Sequence, residues 1–368
     1  MNKAIFILGM HRSGTSALAR VLNLLGVELG SRMMAAASDN ERGFWEHEGA
    51  VQIHEDLLCQ LGHKWCDGTP LPEGWLETEA ARNAQAQLAT LIDLDFLTAP
   101  LWGIKDPRLS LLFPLWLPLL KERGIEPLCV VAWRNPLEVA GSLMKRDHLP
   151  QETALLCWLA YTLESLHHAQ DFSRVIVSYD DLLKDWRSTA TRIASELNLI
   201  CIEQNDAAIE DFLSPELRHH RDSGFRIQDS AIGQRVKECV ELLAAPEALK
   251  IEKAHTQWQE MTAPFAPLLR DARRAAEDLA EPLRKAQQAA ADEKHRANDV
   301  AQQMSQLYDQ YTATLEREKE AQVQTQMLRS GLRHAEEIIH EMQESTSWKI
   351  TEPLRKVKKM IGENEEGL

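Results

Sequence analysis

The chain has 368 residues, 44% of them hydrophobic and 26% charged, with a formal net charge of −15 and a sequence pI of about 5.4. That length exceeds one ordinary compact domain and leaves room for an appendage. The acidic balance excludes general nucleic-acid binding, so an anionic ligand must be held by a local cluster of Arg and Lys.

The first element is a short apolar run, Ala4 to Leu8, which reads as a buried strand. It breaks at Gly9, turns through Met10-His11-Arg12-Ser13-Gly14, and enters a helix with apolar positions Leu18, Val21, Leu22 and Leu25. A strand, a glycine-bracketed loop and a helix in this order aim successive backbone N–H groups at one point, where the helix macrodipole also favours negative charge. The spacing is Gly9-x4-Gly14-Thr15-Ser16. A nucleotide triphosphatase P-loop carries Lys where Thr15 stands. Here the one fixed cation in the loop is Arg12, so the loop suits a phosphate or sulfate better than a magnesium-bound triphosphate.

A polar stretch, Ser31 to Glu48, follows and ends in Arg42-Gly43-Phe44-Trp45-Glu46-His47-Glu48. Helical spacing resumes at Val51, His54, Leu57, Leu58 and Leu61, and again over Glu77 to Leu97. Trp102 to Leu109 reads as a short strand running into a proline-stopped turn that carries Lys105, Asp106 and Arg108. Leu111 to Lys121 is expected as a helix opened or kinked by Pro114 and Pro118. Leu128 to Trp133 is the second buried strand. It ends at Arg134, after which Asn135 caps a helix with Pro136 in its first turn and Ser142 about two turns in. Leu155 to His168 is helical, Arg174 to Ser178 is a third strand, and Thr189 to Leu199 is helical again. Short apolar strands alternating with amphipathic helices predict an α/β fold with a mostly parallel sheet flanked by helices. Ligands of such sheets sit beyond the carboxyl ends of the strands, where Arg12, Lys105 and Arg134 all fall.

From Leu269 onward a 3–4 apolar spacing holds through Met342, interrupted at Glu293, Thr314, Glu318 and Thr325. This predicts a long α-helical coiled-coil extension with an alanine-rich first half and a defect at Pro282, where the continuous helix is expected to start. The seam implies a homo-oligomer; a charged helix docked on its own domain is the alternative. The tail places Ile350, Leu354, Val357 and Ile361 on one face, with Lys349, Arg355, Lys356, Lys358 and Lys359 around it. Such a segment suits an anionic membrane surface or a partner enzyme, and equally a solvated helix. The expected domains are 1–262, 263–345 and 346–368. None of the six cysteines forms a CxxC pair, the apolar run at the N-terminus is too short for a signal peptide, and the longest apolar run holds two prolines. A cytoplasmic protein with free thiols is expected, at most peripheral on the inner membrane face.

Two segments, Met10 to Ser16 and Trp133-Arg134-Asn135-Pro136-Leu137-Glu138-Val139-Ala140-Gly141-Ser142, together resemble the paired signatures of sulfotransferases that use 3′-phosphoadenosine 5′-phosphosulfate (PAPS). Gly43-Phe44-Trp45-Glu46, Lys105-Asp106-Pro107-Arg108 and Tyr179-Asp180-Asp181-Leu182 are similar to the bacterial carbohydrate-modifying branch. The resemblance covers about residues 1–225. It implies a P-loop-containing fold in which His11, Arg12, Ser13, Gly14, Thr15 and Ser16 hold the 5′ end of the nucleotide and Arg134 and Ser142 its 3′-phosphate, with no metal required. Arg218 and Arg221, in Leu217-Arg218-His219-His220-Arg221, are further candidates for the 3′-phosphate. The chain departs from the cytosolic small-molecule branch, which has Lys at the position of Arg12.

The implied reaction moves the sulfuryl group to a hydroxyl of a carbohydrate or other small hydroxylated acceptor by in-line displacement. Glu46 is the candidate base, with His47, Glu48 and His54 as rivals, and Arg12 and Lys105 are the cations around the transferring group. A surface position for Glu46, and an ion pair of Lys105 with Asp106, are the plainer readings of those residues. Trp45, Trp65 and Trp75 either stack on a sugar ring or belong to the core. Two alternatives stay open. One is a non-catalytic scaffold in surface-polysaccharide assembly, since the tail Ser347-Trp348-Lys349-Ile350-Thr351-Glu352-Pro353-Leu354-Arg355 resembles segments of bacterial polysaccharide glycosyltransferases. The other is a P-loop nucleotide kinase or triphosphatase with Asp180 as its metal-site carboxylate.

Overall fold

The computed structural model describes residues 2–37, 40, 42–199, 205–213 and 226–356. In chain order, β1 (Lys3–Leu8) runs into α1 (Thr15–Leu24), and α2 (Glu48–Gln60) and α3 (Glu79–Asp95) follow. Next come β2 (Leu101–Lys105), α4 (Leu109–Arg123), β3 (Glu126–Trp133), α5 (Pro136–Asp147) and α6 (Gln151–Ala169). β4 (Ser173–Ser178) leads to α7 (Tyr179–Lys184), α8 (Trp186–Glu196) and α9 (Asp206–Phe212). The helices α10 (Ala231–Ala244), α11 (Ala248–Thr262), α12 (Phe265–Glu344) and α13 (Thr346–Ile350) complete the order. The chain divides into two compact units, Met1–Ala276 and Glu277–Leu368.

In the first unit the four strands form a parallel sheet in the order β2-β1-β3-β4. β1 lies between two strands and is buried on both faces, which is why it reads as an unbroken apolar run. Ala4, Phe6 and Leu8 enter the core on one side, and Ile5 and Ile7 enter the core on the other. The register pairs Ile7 with Lys105 and Leu8 with Val131, so the ends of β1, β2 and β3 open at one level.

α4 runs unbroken through Pro114 and Pro118, contrary to the expected opening. Pro114 has no N–H for the carbonyl of Ser110 four residues back, and His168 Nδ1 supplies that bond from α6 at 3.0 Å. One of the bonds that the prolines remove from the helix is therefore supplied by a side chain from a distant element. α10 and α11 close the core over α6 through Val236, Cys239, Ile251 and Trp258. The Trp258 indole N–H donates to the carbonyl of Gly68 at 3.1 Å.

α12 begins at Phe265, not at Pro282, and is continuous past that proline. Its first turns belong to the first unit, where Arg273 donates to the carbonyl of Gly62 at 2.8 Å. In the second unit Met304, Leu307, Tyr311, Leu328, Leu332 and Met342 are all exposed. Among the described residues no helix is long and apolar enough to cross a membrane.

Candidate active site

A cavity of about 730 Å³ opens where β1, β2 and β3 end. Among the described residues its lining carries seven cations, Arg12, Arg42, Lys105, Arg108, Arg134, Lys145 and Arg146, against two carboxylates, Glu46 and Asp147. In a chain with net charge −15, this is the local concentration of positive charge that an anionic ligand requires.

The loop after β1 forms the cavity floor. Gly9 adopts φ +137°, and a Cβ there would stand 2.2 Å from the carbonyl oxygen of Ala132 on β3. Its N–H donates to Ser110 Oγ at 2.9 Å, tying the loop to α4. Arg12 adopts φ +68° and Gly14 φ +82°, so the chain turns sharply twice before α1 starts. Thr15 and Ser16 begin α1 and line the cavity. Ser13 is 1% exposed, and among the described residues its hydroxyl has no hydrogen-bond partner.

The far half of the cavity comes from the end of β3 and from α5. Arg134 is 9% exposed, donates from Nε to Glu138 Oε2 at 2.7 Å, and contacts the Arg12 carbonyl through Nη1 at 3.4 Å. Arg12 donates from Nε to Ser142 Oγ at 2.8 Å. Arg12, expected around the 5′ end, therefore reaches across to the residues expected at the 3′ end. The first glycine turn and Arg134 stand on the same side of the sheet and touch. Tyr179 joins them. Its ring fills the space where a Gly14 Cβ would point, 2.1 Å away, and the Arg134 guanidinium lies over the same ring at 4.9 Å. In the sequence Tyr179 stands out only as part of Tyr179-Asp180-Asp181-Leu182. A large aromatic at the end of a strand, opposite a required glycine, is the signal that identifies it.

The near half holds Glu46, on a turn tied to the preceding stretch by the Met34 N–H, which donates to the Glu46 carbonyl at 2.9 Å. Glu46 is 6% exposed, which removes the reading as a surface carboxylate. Lys105, the last residue of β2, donates to Glu46 Oε1 at 2.5 Å, to the Phe44 carbonyl at 3.0 Å and to Ser16 Oγ at 3.1 Å. Burial pushes the Glu46 carboxyl up from the ordinary carboxylate range, and the Lys105 ammonium offsets only part of that rise.

Lys105 does not pair with Asp106. The Asp106 carboxylate faces the other way, to His54 Nδ1 at 2.7 Å and Arg108 Nη1 at 2.8 Å. Burial pushes the Asp106 carboxyl up, but Arg108 and His54 outweigh it and hold the group well below the usual range. Trp116 donates its indole N–H to His54 Nε2 at 3.1 Å, so Nδ1 carries the imidazole proton and donates it to Asp106. His54 is fully buried with both nitrogens engaged. His47 caps α2 by accepting the Ala50 N–H at Nδ1, 3.3 Å, while Nε2 meets Asp95 at 2.6 Å. Glu48 is exposed in the first turn of α2. Of the four candidates for a base, Glu46 alone lines the cavity.

His11 lines the cavity with its ring 4.7 Å from Trp65 and 5.9 Å from Tyr161, centroid to centroid. Burial, then Arg108 and Arg146, hold its imidazole well below the ordinary value. Of Trp45, Trp65 and Trp75, only Trp65 lines the cavity; Trp45 stacks under Arg20 at 4.2 Å. Asp180 is exposed in the first turn of α7, after a strand that does not neighbour β1. Of the two strands beside β1, β3 leads to Arg134, and the carboxylate that follows β2, Asp106, is held by His54 and Arg108 and does not line the cavity, where a triphosphatase metal site needs one. Arg218 and Arg221 lie outside the described residues.

No family model and no curated protein matches the chain. Among solved structures it is similar to the sulfotransferase domain of the Synechococcus PCC 7002 olefin synthase, at 16% identity over 67% of this chain and 96% of that one, with a TM-score of 0.41. It is also similar to the sulfotransferase domain from the curacin biosynthetic pathway, at 16% identity over 66% and 98%, TM-score 0.38. A third likeness is to retinol dehydratase in complex with androsterone and inactive cofactor PAP, at 14% identity over 70% and 80%, TM-score 0.32. At these scores the likenesses decide nothing about chemistry, which rests on the site itself.

Proposed function

We propose that the first unit is a P-loop-type, PAPS-dependent sulfotransferase that sulfates a hydroxyl of a carbohydrate or glycan acceptor. The observation that carries this reading is the pairing of two donor sets across one cavity. The turn from Gly14 to Ser16, with Lys105, lines the same cavity as Arg12, Arg134 and Ser142, which come from the loop after β1, the end of β3 and α5. Such a pair fits a nucleotide with anionic groups at both ends. The buried, unpartnered Ser13 hydroxyl and the excess of cations fit the same ligand.

PAPS supplies an activated sulfuryl group; what the chain adds is placement and charge. Ser13, Thr15, Ser16 and the start of α1 hold the 5′ end, and His11 backs the turn. Arg134, Ser142 and Arg12 hold the 3′-phosphate through charge-assisted bonds. Arg12 lies between the two ends and serves both. Lys105 neutralises charge at the transferring group. Glu46 accepts the proton of the attacking hydroxyl, a task suited to a carboxyl raised by burial. Trp65 offers the flat apolar face on which a sugar ring stacks. β3 leads to Arg134 and the Asp106 carboxylate after β2 is turned to His54 and Arg108, and the kinase or triphosphatase reading is set aside on that ground.

The exposed apolar positions of α12 support a second proposal: the second unit pairs with another copy of the chain as a coiled coil. The tail, whose residues 357–368 lie outside the described ones, remains a candidate contact for a membrane surface or a glycosyltransferase. Calorimetric titration of the full-length chain separates the readings of the cavity. PAPS binding without magnesium, and none with ATP and magnesium, is expected. The reverse preference refutes the proposal. Binding of PAPS with no transfer to any glycan acceptor favours the scaffold.

A further inference from the structure

An ammonium group has three N–H donors. On Lys105 all three are engaged, by Glu46 Oε1, the Phe44 carbonyl and Ser16 Oγ, at a side chain 3% exposed yet lining the cavity. Lys105 therefore cannot bind an incoming anion without releasing one of these partners. They are not equivalent. The Phe44 carbonyl is a half-buried backbone acceptor in the turn that carries Glu46 and would lose its Lys105 donor. The Ser16 hydroxyl can keep accepting from Lys105 while donating its own proton to an anion at the start of α1. Glu46 is itself an anion, and sharing one ammonium with a second anion in a water-poor pocket is unfavourable. Glu46 is the partner that yields.

We propose that Lys105 is a switched cation that holds Glu46 in the free protein and passes to the anionic 5′ group of the bound nucleotide, releasing Glu46 to act as base. This rests on the sulfuryl-transfer reading and adds an order of events to it. In the free site the carboxylate is bound by an ammonium and cannot take a proton from an acceptor hydroxyl. With the nucleotide bound, Asp106 still raises the proton affinity of Glu46 through space and Arg108 lowers it, both from the turn after β2. The acceptor O–H then breaks, its proton passes to Glu46, the acceptor oxygen bonds to sulfur, and the S–O bond to the nucleotide breaks with its electron pair staying on the 5′-phosphate. When the nucleotide product leaves, Lys105 returns to Glu46 and expels the proton to solvent.

The handover predicts a proton signature of binding that does not depend on turnover. The full-length chain is titrated with PAPS at pH 6, 7 and 8, each in two buffers of different ionisation enthalpy, to obtain the protons taken up per site. PAPS contributes its own phosphate ionisation equally to every variant. The wild type should take up a fraction of a proton more than Glu46→Gln, with the excess growing toward pH 6. Lys105→Met, in which Glu46 has no ammonium to lose, should match Glu46→Gln, and it serves alone if the other variant does not fold. Equal proton counts in wild type and variants, with binding intact, overturn the handover and leave the transferase reading standing. Absence of PAPS binding to the wild type overturns both.

Discussion

Gly14→Ala tests whether the anion loop and Arg134 are held together through Tyr179. The backbone at Gly14 has φ +82°, and an added Cβ would stand 2.1 Å from Tyr179 Cδ2, far inside contact distance. Two costs follow. An L-residue in the left-handed region costs about 1–2 kcal/mol, and forcing the ring aside costs about 1–3 kcal/mol more, as overpacking does elsewhere. Gly124 supplies the control, because it has φ +60° and nothing within 4 Å of its Cβ position. Gly124→Ala should show the backbone cost alone. Every tryptophan except Trp348 belongs to the first unit, so tryptophan fluorescence reports its melting. At about 2–4 °C per kcal/mol for a domain of this size class, Gly14→Ala should melt roughly 2–12 °C below Gly124→Ala. Since Tyr179 also carries the Arg134 guanidinium, Gly14→Ala should weaken PAPS binding and Gly124→Ala should not. Equal melting of the two variants would refute the claim that Tyr179 sets the geometry of the loop.

Arg134→Ala removes charge-assisted bonds worth about 1.5–3 kcal/mol and leaves Glu138 without its cation. Titration should show PAPS weakened about 10–100-fold and its 3′-dephosphorylated analogue nearly unaffected; equal losses would place the 3′-phosphate elsewhere. Glu46→Gln should lower turnover about 10²–10⁴-fold while nucleotide product still binds. Because burial raises the Glu46 carboxyl, the wild-type rate should fall on the acid side through a pH above the ordinary carboxylate range, and that limb should vanish in Glu46→Gln. Leu328→Lys with Leu332→Lys places two charges on the exposed stripe of α12. Sedimentation should then show a smaller assembly, with the melting of the first unit unchanged. An unaltered mass would remove the coiled-coil proposal.

The elements that sequence reasoning located best are those whose pattern is local. β1 and β3 are apolar runs because both their faces are buried. The Asn135 cap and Pro136 announce α5 because the caps of a helix are satisfied by adjacent residues. Elements built on distant partners carry no such local signal. The prolines of α4 point to an opened or kinked helix, and His168, 58 positions away, supplies the bond that Pro114 cannot. Nothing in the spacing of α10 and α11 announces that they roof α6.

For the candidate site the inventory is legible in the chain alone: a glycine-bracketed turn before a helix, cations at or just after three strands, and an apolar Gly-Phe-Trp-Glu turn. Those follow from chain-local rules of backbone conformation and hydrophobic period. Which of these groups meet depends on how the strands and helices assemble. Lys105 turned to Glu46 and not to its neighbour Asp106, Arg12 crossed to Ser142, and His54 was spent on Asp106 and Trp116. The physical reason is that a buried charge or imidazole must satisfy every donor and acceptor it carries, and its nearest partner in space is set by sheet order and register, which sequence separation does not encode.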